Sequence, residues 1–274
     1  MIRQSARTPG KVFLVGAGPG DPELLTIKGH RLLRQADLVL HDALVSAAII
    51  ALVGPRTIVV NVGKRCGTKK ITQAEINSLM VAAARAGKQI VRLKSGDPGI
   101  FGRLNEEVAS LRSANITFEV VPGLTASSAA AASLGVSLTD RDKSSRVVFV
   151  SGHQDRSKGP VNEPDWNSLA QENATIVVYM PGKGLGHLSK KLIAAGLAPD
   201  TCSVVVTQAS TPQQEQFWTT VGGLADRDSA ASPSILLIGR TLDAAASRAA
   251  VQELSADEAF QVLTEAQHER RIAL

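Results

Sequence analysis

Short apolar runs alternate along the chain with longer segments in which apolar residues recur every three or four positions. Residues 12–15 (VFLV) are the first such run, and residues 24–35 are the first segment with helical spacing. A short continuous apolar run is typical of a buried strand, and a three-and-four spacing is typical of one face of a helix. The alternation of the two predicts an α/β fold with a largely parallel sheet.

Residues that cap or end helices and strands define further elements along the chain. Thr72 and Glu75 form a T-x-x-E capping box before a helix that runs to residue 85, and Gly87 marks its end. Residues 203–207 and 216–221 are apolar strands joined by a short turn, which indicates antiparallel pairing and a mixed second sheet. Further strands are predicted at 38–40, 57–60, 89–93, 117–121, 146–150, 175–179 and 234–238, and further helices at 105–112 and 125–133.

The length of 274 residues predicts about two domains. Pro122 and Gly123 interrupt the pattern directly after a strand, so a domain boundary is expected there. Residues 1–10 are expected to form a flexible arm, 11–121 an N-terminal α/β domain, 122–242 a C-terminal α/β domain, and 243–274 a terminal helix or tail.

Composition narrows the class of protein without identifying its ligand. Hydrophobic residues make up 44% and charged residues 20% of the chain, as in an ordinary globular protein. The net charge of +5 suits an anionic small molecule, a nucleic acid or a membrane surface equally well. Two cysteines without a CxxC pair argue against a disulfide framework and a structural zinc site, and they favour a cytoplasmic location. No apolar stretch is long enough to span a membrane.

A glycine-rich turn, GAGPGDP at residues 16–22, follows the first strand and precedes a helix. Glycines there allow a sharp turn and a close approach of the backbone to a ligand. The dinucleotide-binding fingerprint requires a third glycine where this chain has Asp21, and a carboxylate at that position repels a pyrophosphate. The turn therefore indicates a ligand site and disfavours NAD.

Three further segments are candidates for ligand contact. Residues 94–103 (KSGDPGIFGR) place Asp97 at a strand end, where ligands bind in open α/β sheets, although a tight turn capped by this aspartate is an equal alternative. Thr125 precedes a helix, so its hydroxyl either contacts a ligand or caps the helix. Residues 62–67 (VGKRCG) form a basic loop that lacks the P-loop pattern, and no interleaved aromatic residues support nucleic-acid binding.

Taken in order, these segments resemble the tetrapyrrole methylase family over residues 11 to about 242. The resemblance rests on VGAGPGDPELLTIKG, ADLVLHDALVS, VGKRCG, QAEIN, VRLKSGDPGIFGR, FEVVPGLTA, LTDRD, SGH and YM. The VGKRCG segment is similar to the uroporphyrinogen-III C-methyltransferase subgroup. The resemblance implies two α/β domains, with a parallel-rich N-terminal sheet, a mixed C-terminal sheet and the active site in the cleft between them.

The same resemblance implies S-adenosylmethionine as methyl donor, S-adenosylhomocysteine as product, and no metal. It makes Asp42 the proton acceptor and Lys64 the proton donor in the methylation of uroporphyrinogen III at C2 and C7 to precorrin-2, for siroheme or cobalamin synthesis. Arg65 and Arg103 are expected to attract the carboxylates of the substrate. The residues implied to contact the methyl donor are Pro19, Ser95, Gly96, Asp97, Ile100, Thr125, Ala126, Met180 and Ala209.

The implied partners are the tetrapyrrole and a second copy of the chain in a homodimer, with no nucleic acid and no membrane. The substrate side departs from the family pattern, because Ala43 replaces an arginine, and Gly99, Leu104 and Asn105 replace a phenylalanine and two glycines. Two alternatives therefore stay open. One is a methyltransferase of the same family that acts on a later precorrin, and the other is a paralogue that binds a ligand or nucleic acid without turnover.

Overall fold

The computed structural model of the protein describes residues 10–63, 71–152, 164–170, 173–227 and 229–253. These residues form two compact units. The first unit extends through Ala130 and includes Gln208–Gln214, and the second contains Ala131–Thr207 and the chain from Glu215 onward. Residues 122–130 and 208–214 thus belong to the first unit by their contacts, whereas the sequence pattern assigned them to the second domain.

The first unit is built on five parallel strands: β1 (Val12–Gly16), β2 (Leu38–His41), β3 (Ile58–Asn61), β4 (Ile90–Lys94) and β5 (Phe118–Val121). Their order across the sheet is β3-β2-β4-β1-β5. Successive residues of a strand point to opposite faces, so each strand supplies both faces of the sheet. The central strands β1 and β4 match apolar runs because the middle of a parallel sheet is buried on both faces, whereas the edge strand β3 is exposed.

Helices cover both faces of this sheet. On one face Val15 packs with Leu33 of α1 (Ile27–Gln35) and with Ile49 of α2 (Ala47–Ile50). On the other face Leu14 packs with Met80 of α3 (Gln73–Arg85) and with Leu111 of α4 (Leu104–Ser113). The helix α5 (Ala126–Ser133) follows β5.

Side-chain caps decide where two of these helices begin. The capping box of Thr72 and Glu75 is present at the start of α3, as predicted. The helix α1 begins at Ile27 and not at residue 24, because the Thr26 side chain accepts a hydrogen bond from Gly29 N. Pro22–Leu24 forms a separate 3-10 turn that Asp21 caps. The apolar spacing alone did not reveal this interruption, because hydroxyl capping lies outside the hydrophobic pattern.

The second unit contains a mixed sheet, as predicted. Its strands are β6 (Arg146–Ser151), β7 (Ala174–Tyr179), β8 (Cys202–Thr207), β9 (Glu215–Thr220) and β10 (Ser234–Ile238), in the order β6-β7-β10-β8-β9. Strands β6 and β7 are parallel, and the other neighbouring pairs are antiparallel. Its helices are α6 (Trp166–Leu169), α7 (Leu185–Ala194) and α8 (Asp243–Glu253).

The predicted terminal segments lie largely outside the described residues. Of the expected arm, only Gly10 is described, and of the expected terminal helix or tail, α8 covers the described part. Among the residues that the structure describes, no helix has the length and apolar character needed to cross a membrane.

Candidate active site at the strand ends of the first unit

The loops that follow β1, β4 and β5, which the sequence predicts to contact a ligand, meet at the carboxyl ends of these three strands. Gly18 N donates to Gly96 O at 3.1 Å, and Gly96 N donates to Gly18 O at 2.7 Å. Ala17 N also donates to Lys94 O at 2.7 Å. The neighbouring positions of the three strands in the sheet bring together loops that are far apart in the sequence.

Glycine is required where the backbones of these loops touch. A Cβ atom on Gly123 would lie 2.4 Å from Gly96 O, and a Cβ atom on Gly16 would lie 2.6 Å from Gly123 Cα. Both distances are far shorter than a normal van der Waals contact. Gly96 is different, because it adopts a φ of +67° and a Cβ atom there would meet no atom of the described residues within 4 Å. The described residues therefore leave space beside Gly96.

Asp97 ties two of the loops together through its carboxylate. Oδ2 accepts a hydrogen bond from Gly123 N at 3.0 Å, and Oδ1 accepts one from Gly99 N at 2.7 Å. Ile100 N donates to the Asp97 carbonyl oxygen at 3.2 Å. The turn-capping interpretation of Asp97 is therefore correct for these oxygens, and its contact with a methyl donor stays a prediction.

The Pro19–Asp21 turn is held by two other loops of the first unit. Ser46 Oγ donates to Gly20 O at 2.7 Å, and Asp21 N donates to Ser210 Oγ at 3.3 Å, next to the buried Ala209. Asp21 Oδ1 accepts from Glu23 N at 2.8 Å. The carboxylate therefore occupies the start of the 3-10 turn, where a dinucleotide-binding protein would hold a phosphate.

Asp42 lies directly after β2 and contacts a group of buried charges. Arg92 Nη2 donates to Asp42 Oδ1 at 2.5 Å, and Arg92 Nε donates to Glu107 Oε1 at 2.9 Å. Lys94 Nζ donates to Glu107 Oε2 at 2.9 Å. The side chains of Arg92, Lys94 and Glu107 are 2%, 3% and 0% exposed, whereas that of Asp42 is 31% exposed.

Burial affects the protonation of Lys94. It lowers the pKa of the Lys94 ammonium, and the nearby Arg92 lowers that pKa further, while Glu107 and Asp42 act in the opposite direction. Removing one partner from a buried ion pair typically costs about 3–5 kcal/mol, because the other charge is left uncompensated. The two cations and two carboxylates therefore depend on one another.

Arg92 and Glu107 were absent from the candidates that the sequence suggested, and Lys94 appeared there only as the first residue of the 94–103 segment. Arg92 and Lys94 alternate with apolar residues in β4, a strand buried along its whole length, and point to the face that α4 covers. Glu107, in the first turn of α4, is the matching carboxylate. The sequence did contain a signal for this cluster, namely two basic residues at alternate positions of an otherwise apolar strand. Charged side chains are rarely buried without a partner, so this pattern predicts a buried carboxylate nearby.

The structure brings most of the expected methyl-donor residues into this one region of the first unit. Thr125 and Ala126 follow Gly123 at the start of α5. Met180 lies after β7 in the second unit, with a φ of +53° and an exposed side chain. The residues that belong to the first unit are Pro19, Ser95, Gly96, Asp97, Ile100, Thr125, Ala126 and Ala209.

Lys64 and Arg65 lie outside the described residues. The residue before them, Gly63, is described, and a Cβ atom on it would lie 2.0 Å from Ala43 N. Val62 N donates to His41 O at 2.9 Å. The chain that enters the basic loop is therefore packed against the residue that follows Asp42.

Arg103 stands before α4 with a φ of +55°. Its guanidinium donates from Nε to Glu106 Oε1 at 2.7 Å and from Nη2 to Glu106 Oε2 at 2.6 Å. Leu104 packs against the core cluster between the sheet and α3–α4, while Asn105 is exposed. Leu104 thus extends the core, and the expected contact of Arg103 with substrate stays a prediction.

We expect Gly123→Ala to lower the free energy of unfolding by about 1–3 kcal/mol, because its methyl group collides with the backbone of two neighbouring loops. Gly186→Ala is the matched control, since Gly186 lies in the helix α7 and a Cβ atom there would make an ordinary 3.5 Å contact with Ala225 Cα. Thermal and urea unfolding measure both variants. A Gly123→Ala protein as stable as the unmodified chain would contradict the close packing of the three loops.

Comparison with known proteins leads to one family. Residues 11–225 match the family described as Tetrapyrrole (Corrin/Porphyrin) Methylases. The chain is 44% identical over 233 residues to the siroheme synthase of Hahella chejuensis, which covers 84% of this chain and 49% of that protein. It is 42% identical over 236 residues to the S-adenosyl-L-methionine-dependent uroporphyrinogen III methyltransferase of Methanosarcina barkeri, which covers 84% of this chain and 91% of that protein.

A solved structure has the same fold. The uroporphyrin-III C-methyl transferase of Thermus thermophilus, complexed with S-adenyl homocysteine, matches with a TM-score of 0.73 and 37% identity, over 86% of this chain and 100% of that one. The chain spans about half the length of the siroheme synthases that it matches. The family match covers most of the sequence, and the relative from M. barkeri aligns over nearly its full length. The chain therefore belongs to the tetrapyrrole methylase family.

Proposed function

We propose that this protein transfers methyl groups from S-adenosylmethionine to carbon atoms of uroporphyrinogen III, at C2 and C7, to give precorrin-2. The observation that carries the proposal is the meeting of three glycine-lined strand-end loops beside Asp42, in a chain 37% identical to a methyltransferase solved with S-adenyl homocysteine. The relative from M. barkeri supports uroporphyrinogen III as the substrate. The product serves either siroheme or cobalamin synthesis.

The residues at the strand ends fit an adenosyl sulfonium ligand. Such a ligand carries no phosphate, so it is compatible with the Asp21 carboxylate at the start of the 3-10 turn. Among the described residues no atom lies within 4 Å of a Cβ placed on Gly96, so they leave room for a ligand to approach the backbone there. The residues proposed to hold it are Pro19, Ser95, Gly96, Asp97, Ile100, Thr125, Ala126 and Ala209 from the first unit, and Met180 from the second.

The methyl donor supplies an electrophilic carbon, and the protein contributes position and proton transfer. Holding donor and acceptor in a reactive geometry is the main assistance that a protein gives to such a displacement. After a ring carbon has been alkylated, protons must move before the ring double bonds settle. We assign Asp42 as the acceptor of a proton, since its carboxylate is partly exposed and oriented by Arg92. Lys64 is the proposed proton donor.

Basic side chains are proposed to draw in the substrate, which is rich in carboxylates. Arg103 stands at the partly exposed end of the 94–103 segment, and its planar fork already binds one carboxylate, that of Glu106. A guanidinium that pairs in this bidentate manner suits a carboxylate ligand of the same geometry. Arg65 is proposed to act with it.

We expect the purified protein, supplied with S-adenosylmethionine and anaerobically prepared uroporphyrinogen III, to yield a product that carries two added methyl groups. Mass spectrometry of the extracted tetrapyrrole measures the gain. A calorimetric titration with S-adenosylhomocysteine is run in parallel. Binding without any mass gain would reject uroporphyrinogen III and direct the search to later precorrins, whereas the absence of binding would reject the methyltransferase proposal.

We expect Asp42→Asn to slow turnover by about 10²–10⁴-fold and to leave S-adenosylhomocysteine binding intact, because an amide does not accept the proton. Asp37→Asn is the matched control. Asp37 precedes the same strand at its opposite end, where its carboxylate accepts a hydrogen bond from Gln89 N at 2.8 Å. Single-turnover kinetics and calorimetry separate the two effects. Full turnover by Asp42→Asn would remove Asp42 from the proposed mechanism.

We also propose a cytoplasmic homodimer that forms along the edge strand β3. Ile58, Val59 and Val60 of this strand are 63%, 39% and 37% exposed. An apolar strand at the edge of a sheet is a template for pairing with another chain. Both faces of β3 and its outer edge are therefore suited to contact with a second copy.

We expect the protein to sediment at about twice its 28.8 kDa mass, and Ile58→Lys to shift it toward the monomer, because a charge in an apolar interface is costly. Ile27→Lys is the control, since Ile27 is 89% exposed on α1 and lies on a different element. Analytical ultracentrifugation measures both. A monomeric unmodified protein, or an equal effect of the two substitutions, would contradict dimerisation through β3.

A further inference from the structure

We propose that Glu107 is a positioning residue that directs the Arg92 guanidinium toward Asp42 and so fixes the orientation of the Asp42 carboxylate. The inference rests on the proposed role of Asp42 as proton acceptor. It concerns a residue on α4 that lies far from Asp42 in the sequence and is connected to it through Arg92.

The geometry of Arg92 explains how one carboxylate can orient the other. Its guanidinium is a rigid planar fork, so fixing one nitrogen fixes the direction of the others. Nε donates to Glu107 and Nη2 donates to Asp42. Nη1 donates to the carbonyl oxygens of Leu40 and Leu93 at 3.3 and 3.2 Å. The plane of the fork is therefore defined by contacts on three sides.

Glu107 is itself held in place. Its Oε2 accepts from Lys94 Nζ at 2.9 Å, and its Oε1 accepts from Gln73 Nε2 of α3 at 3.0 Å as well as from Arg92. The side chain has no exposed surface. Two helices and the central strand β4 thus determine where the Glu107 carboxylate lies. Because Arg92 donates to both carboxylates, the position of Glu107 in turn determines the direction from which Arg92 contacts Asp42.

A role in stability alone explains the arrangement less well. Apolar residues of similar volume would fill the space between β4 and α4 at no greater cost than buried charges. The cluster also ends at a carboxylate that is 31% exposed, next to the loops proposed to hold the methyl donor. A row of buried charges that leads to an accessible carboxylate is the arrangement expected when that carboxylate must keep one orientation.

The test uses two double variants that keep the charges of the cluster balanced. Lys94→Met with Glu107→Gln removes one cation and one carboxylate but keeps an oxygen that can accept from Arg92 Nε. Lys94→Met with Glu107→Leu removes the same charges and also removes that acceptor. The two proteins therefore differ in the hydrogen bonds that an oxygen at position 107 accepts, one from Arg92 Nε, which positions Arg92, and one from Gln73 Nε2 of α3.

We expect the leucine variant to lose at least about tenfold in kcat, because small misplacements of a reacting group are costly, while KM and S-adenosylhomocysteine binding change less than about threefold. The glutamine variant should recover most of kcat. In an Asp42→Asn background, exchanging glutamine for leucine should have no further effect, since the residue through which Glu107 acts is already inactive.

Other outcomes would overturn the inference. Equal kcat values for the two double variants, or a kcat loss that persists in the Asp42→Asn background, would show that Glu107 does not act through Asp42. A parallel loss of S-adenosylhomocysteine binding would assign Glu107 to the fold alone. Full turnover by the single Asp42→Asn variant is a separate result, which rejects the proposed role of Asp42 itself.

A further variant covers the case in which the leucine protein fails to fold. Arg92→Lys keeps the positive charge, but a single ammonium cannot donate along the directions of the fork to Glu107 and Asp42 at once. It should show the same split, with kcat reduced at least about tenfold and S-adenosylhomocysteine binding retained. An Arg92→Lys protein with unchanged kcat would overturn the inference.

Discussion

The backbone contact among the ends of β1, β4 and β5 is the constraint on which the rest of the first unit depends. The three strands are parallel neighbours, so their carboxyl ends meet at one edge of the sheet. There the loops approach so closely that a side chain at Gly16 or Gly123 would collide with the main chain. Asp97 then links the second loop to the third. These glycines and the Asp97 carboxylate thus leave mainly backbone atoms at the edge of the candidate site. Such an edge suits a ligand that is recognised through hydrogen bonds to the main chain.

The buried charges between β4 and α4 add a second constraint. Charged groups lose hydration when they are buried, so Arg92, Lys94 and Glu107 remain there only because each contacts an opposite charge. The cluster reaches the surface at Asp42. The interactions that allow charges in the interior are therefore the same ones that hold the Asp42 carboxylate, so the proposed proton transfer and the stability of the unit would depend on the same atoms.

Membership in the tetrapyrrole methylase family agrees with the chemistry of the strand edge. A glycine-rich turn after a first parallel strand is also found in dinucleotide-binding proteins, but there the helix start must accept a phosphate. Here Asp21 caps that position with its own carboxylate. The proposed methyl donor brings no phosphate, so a similar turn serves a different ligand.

The sequence by itself determined the order of the strands along the chain, the mixed character of the second sheet, the glycine loops and the exclusion of a pyrophosphate at Asp21, because these depend on local apolar patterns and turn chemistry. It missed the later start of α1, where the Thr26 hydroxyl overrides an apolar spacing. Only the tertiary structure decided that Arg92 would join Asp42 to Glu107. That contact depends on β2 lying beside β4 and on α4 covering β4, and the order of strands in space is set by packing across the whole unit and not by any local pattern.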